Sequence, residues 1–347
     1  MPRRSTTLAA LAAASVLVLA GCATTGTSAG DDGRVQVVAS TNVYGQIAQA
    51  VGADAVDVTA IIDSAAQDPH SYEASARDQL TVSRADLVIE NGGGYDAFID
   101  GLLEATGIDA PVLTAAEYSH DWPGNGGHHD EDATGEPADA SATGEPTDDH
   151  GGEEHPDEDG AHAGDDHGHD HVEGFNEHVW YDLDAMSHLA AAIAEELSAL
   201  RPGDAAAFEA NAADFAASIE ELEAELAALD AAHGGTPIFV TEPVPLYLTG
   251  AAGLENVAPE AFSEAVEEGQ DVPPATLLEG LGLIRSGDVR AVIVNSQTGG
   301  AETDAVIDEA DQAGIPVLEF SEVVPDSLTY VEWMQRNIDA LGKAVGA

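Results

Sequence analysis

Four histidines lie outside the one His-dense stretch of the chain: His70, His178, His188 and His233. Two of them stand where chemistry is within reach. His70 lies in Asp68-Pro69-His70-Ser71-Tyr72-Glu73, just beyond a predicted strand, and Pro69 fixes the approach to it. His178 lies in Glu177-His178-Val179-Trp180-Tyr181-Asp182, before a predicted helix, with Trp180 placed to wall a site and exclude water. The second half of the chain offers Thr241-Glu242-Pro243 directly after a strand, and Glu319-Phe320-Ser321-Glu322 at the end of the last one. Two imidazoles and two carboxylates would make a neutral shell around a divalent cation. Zn²⁺ accepts that set tetrahedrally, whereas Mn²⁺ asks for bidentate carboxylates or further oxygens. The single cysteine, Cys22, leaves His, Asp and Glu as the available ligand types. His188 reads as a packed or exposed helix residue, and His233 as a residue at a helix C-terminus, where positive charge is favoured. No nucleophile or water-activating pair of comparable clarity is present, so no enzymatic activity is expected. Glu242 acting as a base on a metal-bound water defines the enzymatic alternative, which a fully ligated ion would not permit.

The elements that must position these residues alternate strand and helix. Strands are predicted over Val35–Ser40, Val56–Ile62, Leu87–Glu90 and Pro111–Thr114, with helices over Val43–Val51, Ser71–Val82 and roughly Tyr95–Thr106. Asn91-Gly92-Gly93-Gly94 matches neither the dinucleotide fingerprint nor a phosphate loop, and no Lys follows; a tight turn is the expectation. Helices follow over Asp184–Leu200 and about Asp204–Leu229. In the second, Phe208, Phe215, Ile219, Leu222, Leu226 and Leu229 form one apolar face. Further strands are predicted over Ile238–Thr241, Val289–Val294 and Pro316–Glu322, before a closing helix from Tyr330 to about Val345. This pattern predicts an α/β fold of two lobes, each a mostly parallel sheet flanked by helices, joined by one long rigid helix. The expected boundaries are an N-terminal lobe at 34–200, a linking helix at 201–235 and a C-terminal lobe at 236–347. Ligands of such folds bind beyond the carboxyl ends of the strands, here between the lobes.

Charge and composition narrow the partners. With 65 acidic and 10 basic residues the formal net charge is −55, which repels nucleic-acid backbones and anionic lipid surfaces and suits a cation. From His120 to His171 the chain carries no Lys or Arg and no core-forming pattern, and Gly-Glu-Pro occurs at 135–137 and again at 144–146. A solvated His/Asp/Glu-rich loop within 120–174 is predicted, in which His162, His167, His169 and His171 offer weak auxiliary metal binding. Residues 1–21 pair Arg3 and Arg4 with the apolar run Leu8–Ala20, too short to span a bilayer comfortably, and Leu19-Ala20-Gly21 leads into Cys22. This order resembles a bacterial lipoprotein signal, with Cys22 as the lipid attachment point and 22–33 as a flexible tether. A protein working outside the cytoplasm, lipid-anchored to the cell membrane, is expected.

Taken together, these segments resemble the metal-binding lipoproteins of bacterial ABC importers for zinc and manganese, the cluster A-I substrate-binding proteins. Asp68-Pro69-His70-Ser71-Tyr72-Glu73 is similar to the family's first ligand motif and Glu177-His178-Val179-Trp180 to its second, although Glu177 stands where the family usually has Pro. The acidic His-rich loop resembles that of zinc-handling members. The resemblance implies that Glu242 takes the third ligand place, and that Glu322, with Glu319 as fallback, takes the fourth, commonly an Asp. It also implies a monomer that carries Zn²⁺, or alternatively Mn²⁺, as transported ligand to a membrane permease. A surface zinc buffer or adhesin is the remaining alternative.

Overall fold

The strand β1 (Val35–Thr41) opens the first sheet, and helix α1 (Asn42–Gly52) follows directly. The computed structural model describes residues 33–125, 172 and 174–346. Cys22, the tether and the metal-binding histidines expected at His162, His167, His169 and His171 lie outside the described residues. After β2 (Val56–Ile62), helix α2 (Ala76–Val82) leads to β3 (Leu87–Glu90), α3 (Phe98–Thr106) and β4 (Val112–Thr114). Helices α4 (Leu183–Leu200) and α5 (Ala205–His233) then lead to β5 (Pro237–Val240). The chain continues through α6 (Leu246–Ala251), β6 (Glu255–Asn256), α7 (Glu260–Glu267), α8 (Pro274–Ser286) and β7 (Val292–Asn295). It finishes with α9 (Ala301–Ala313), β8 (Val317–Phe320) and α10 (Tyr330–Val345).

The two sheets are ordered β2-β1-β3-β4 and β6-β5-β7-β8, and every pairing is parallel. Their short inner strands, such as Leu87-Val88-Ile89 and Val292-Ile293-Val294, are buried, as expected of a sheet covered on both faces. In both sheets the strand order reverses beside the first strand, so the crevice at the carboxyl ends of the inner strands is the natural ligand position.

Several expected boundaries move, among them the start of β7, at Val292 rather than Val289. Helix α2 begins at Ala76 rather than Ser71, because Ser75 and Asp78 form a reciprocal capping box and leave 71–75 irregular. Helix α3 begins at Phe98 rather than Tyr95. The preceding Gly92, Gly93 and Gly94 all have positive φ, and a Cβ on Gly92 would meet Thr114 Cγ2 at 2.3 Å. The buried carboxylate of Asp96 accepts the Asn91 N–H (2.6 Å) and the Gly92 N–H (2.8 Å), which closes this turn. Helix α5 extends past Leu229 to His233, giving 29 residues and a length of about 43 Å. The last strand ends at Phe320, which puts Glu322 in the loop beyond it.

The long helix does more than bridge. Its Phe208, Phe215, Ile219, Leu222 and Leu226 belong to one continuous apolar cluster with Val37 and Ile89 of the first sheet, Ile238 and Ile293 of the second, and Trp333 and Leu341 of α10. The loop after β8 is clamped to the first lobe by Asn42, whose side chain donates to Val324 O and accepts from Val324 N, both at 2.9 Å. No helix among the described residues is long and apolar enough to cross a membrane.

Candidate metal centre

His70 is placed by the irregular segment after β2. Asp68 accepts the His70 N–H at Oδ1 (3.0 Å) and the Ser71 hydroxyl at Oδ2 (2.7 Å), an Asx-type turn that sets the ring's direction. His178 is buried, just before a helical turn over Val179–Tyr181. Both its N–H (3.2 Å) and its ring Nδ1 (2.7 Å) face the side-chain oxygen of Asn176. The Asn176 amide nitrogen donates in turn to the Pro243 carbonyl at 3.1 Å. A carbonyl oxygen only accepts, so this network puts the proton on Nδ1 and the lone pair on Nε2, the arrangement of a histidine prepared for a metal. His178 Nε2 looks across to Glu267 Oε1 of α7, at 3.8 Å. Trp180 is fully buried, with its ring centroid 5.1 Å from that of His178 and 4.7 Å from that of Tyr95, so it does wall this corner.

Glu242 follows β5 and Glu322 follows β8; they are 3% and 2% exposed. Asn295, the last residue of β7, joins them: its Nδ2 donates to Glu242 Oε2 (3.1 Å) and to Glu322 Oε1 (2.6 Å). Thr298 donates its hydroxyl to Glu242 Oε1. Tyr95 donates its hydroxyl to Glu322 Oε2 (2.9 Å), and the Glu322 N–H donates to Gln297 Oε1 (2.7 Å). Burial pushes the Glu322 carboxyl up to about 7; Asn295 and Tyr95 oppose the rise, while the charges of Glu242 and Asp68 add to it. Glu242 is raised by burial too, with Thr298 and Asn295 opposing. Glu319 is exposed on β8, away from this network.

Two half-sites thus face each other, and Tyr95 links them. Its ring lies edge-on to His70 at 4.9 Å and 6.1 Å from His178, while its hydroxyl holds Glu322. Among the described residues, the one group of three or more potential ligands whose donor atoms lie within 4.8 Å of one another is His70, Glu177 and His178. The structure therefore brings the two histidines together with Glu177, and Glu242 together with Glu322, as separate clusters. His188 is an exposed helix residue 3.5 Å from Asp184, and His233 closes α5, each outside the centre. The sequence reading did not single out Tyr95, Asn176, Glu267 or Asn295, and it quoted Glu177 only as part of a motif.

This architecture has known relatives. MtsA of Streptococcus pyogenes serotype M1, an iron ABC transporter substrate-binding lipoprotein, is 24% identical over 361 residues, covering 95% of each chain. The manganese-binding lipoprotein MntA of Bacillus subtilis (strain 168) is 22% identical over 350 residues, 95% of this chain and 96% of its own. The periplasmic zinc-binding protein TroA from Treponema pallidum shares the fold, with a TM-score of 0.65 at 17% identity over 90% of this chain and 99% of its own. The family model for the periplasmic zinc-uptake complex component A (ZnuA) matches residues 37–344. The chain belongs to this family, the metal-binding substrate-binding components of ABC importers.

Proposed function

We propose that this protein captures Zn²⁺ outside the cytoplasm and delivers it to the membrane permease of an ABC importer, held to the membrane by lipid on Cys22. In this reading His70, His178, Glu242 and Glu322 close on the ion from the two lobes, and no reaction is catalysed. The observation that carries it is the Asn176 contact with His178, which commits that imidazole to offering Nε2. Glu242 and Glu322 bring the charge that two neutral imidazoles lack, at the carboxyl ends of parallel strands where ligands of this fold class bind. The His/Asp/Glu-rich segment favours zinc; its histidines would raise the local ion concentration without forming the tight site. Membership in a family of transporter components fits a receptor rather than an enzyme.

Manganese is the second reading. MtsA and MntA are named for iron and manganese, and a donor set rich in carboxylate suits those ions. Calorimetric titration with Zn²⁺ and Mn²⁺, beside a version lacking residues 121–171, separates the two. One tight zinc site that survives the deletion, with manganese much weaker, is expected. Tight manganese binding overturns the specificity, and loss of all tight zinc binding on deletion overturns the site.

A further inference from the structure

Glu177 is 3% exposed, and its main chain is pinned: its carbonyl accepts from Asn91 Nδ2 (3.0 Å) and from the Val179 N–H (2.8 Å). Its carboxylate is thereby held among the rings of His70 and His178, with a donor atom of each within 4.8 Å of its own and of the other. Glu177 Oε1 lies 3.4 Å from His70 Nδ1. That is longer than an ordinary N–H···O bond of about 2.9 Å. It matches the separation of about 3.4 Å between two ligands that sit about 2.1 Å from one ion at a tetrahedral angle. A cation held among the three donors would balance the buried carboxylate without either ring having to carry a proton.

We propose that Glu177 is itself a metal ligand, so that His70, Glu177 and His178 form a three-donor capture site on one half of the cleft. The assignment rests on the metal-receptor reading above and adds a donor to it. With Glu242 and Glu322 the ion then meets two nitrogens and three carboxylates, one donor more than a tetrahedral Zn²⁺ site uses. The additional oxygen narrows the margin of Zn²⁺ over ions that accept more, and harder, ligands, such as Mn²⁺. Glu177 is in this sense a specificity-determining residue.

The test is a competition titration of the purified chain against a chelating dye with ZnCl₂ and MnCl₂, comparing wild type, E177Q, E177D and H70A. X-ray absorption on the one-to-one Mn²⁺ and Zn²⁺ complexes accompanies it. E177Q is expected to weaken Mn²⁺ at least about tenfold and Zn²⁺ by less than about threefold. E177D should recover part of the manganese loss, and the wild-type manganese spectrum should show one more oxygen donor than E177Q. Equal losses for both ions with an unchanged oxygen count would mean that Glu177 only orients His70 from outside the shell, and would overturn the assignment. Tight binding abolished by H70A but untouched by E177Q would overturn it while leaving the receptor reading intact. A wild type that binds neither ion tightly would overturn both. Should E177Q fail to fold, the wild-type manganese spectrum decides: three carboxylate oxygens and two nitrogens support the ligand, and two carboxylate oxygens exclude it.

Discussion

The two halves of the candidate centre are built on opposite principles. On the first lobe, His178 is oriented by the Asn176 side-chain oxygen, which accepts from its main-chain N–H and from ring Nδ1, so that Nε2 is left for a metal. On the second lobe, the oxygens a metal would use are engaged: Glu242 by Asn295 and Thr298, Glu322 by Asn295 and Tyr95. The histidine half is preorganised to bind. The carboxylate half is preorganised to be buried without an ion, because the same donors that satisfy it must be given up or shared when one arrives. A buried acidic pair thus becomes compatible with a stable fold at the cost of competition with the cargo.

The largest test breaks the histidine half. H178A removes an oriented donor, and Zn²⁺ affinity is expected to fall at least about a hundredfold, beyond the 10–100-fold range of outer-shell changes; calorimetry reads the loss directly. Next, N295A removes the donor shared by the two carboxylates. With less to oppose burial, the Glu322 carboxyl should rise above its present value of about 7. Affinity at pH 7 should then fall about tenfold, and the deficit should shrink above pH 8.5, where both groups ionise regardless. The third effect, of similar size, is on the wild type. A carboxyl held near 7 keeps its proton at lower pH, and binding must displace it. From pH 8 to pH 6 that one proton costs about tenfold in affinity, and about half a proton should be released from it per ion bound at pH 7. Repeating the calorimetry in buffers of different ionisation enthalpy measures that release. A flat profile would show that the carboxylate half is not held neutral and would erase the contrast between the lobes.

Periodicity was a good guide wherever local physics decides. The limits of β2, β3 and α10 follow directly from apolar runs and from turn or cap residues at their ends, as with the Thr329 cap of α10. Glu242 and Glu322 stood out as candidates because each lies just beyond a strand that periodicity finds, whereas His70 follows β2 only after an irregular segment. What escaped depends on contacts with no local trace. Tyr95 meets Glu322 across 227 positions of chain, and Asn295 meets Glu242 across 53. The run Asn91-Gly92-Gly93-Gly94 was understood as a turn, but the purpose of the turn, delivering Tyr95 between the half-sites, exists only once both sheets are packed. Glu177 was read as a departure from a motif because nothing in its neighbours shows that its carboxylate is aimed inward at the two rings.

The apolar cluster that runs through both sheets, α5 and α10 bears on the timing of transport. Lobes that share a core cannot swing apart without exposing it, so a wide hinge motion on the microsecond-to-millisecond scale is not available as the exit step. The residence time of an ion would instead be the product of successive bond-breaking events at individual side chains, each followed by a rotamer change on the picosecond-to-nanosecond scale. A permease that speeds release therefore has to loosen single ligands rather than part the lobes.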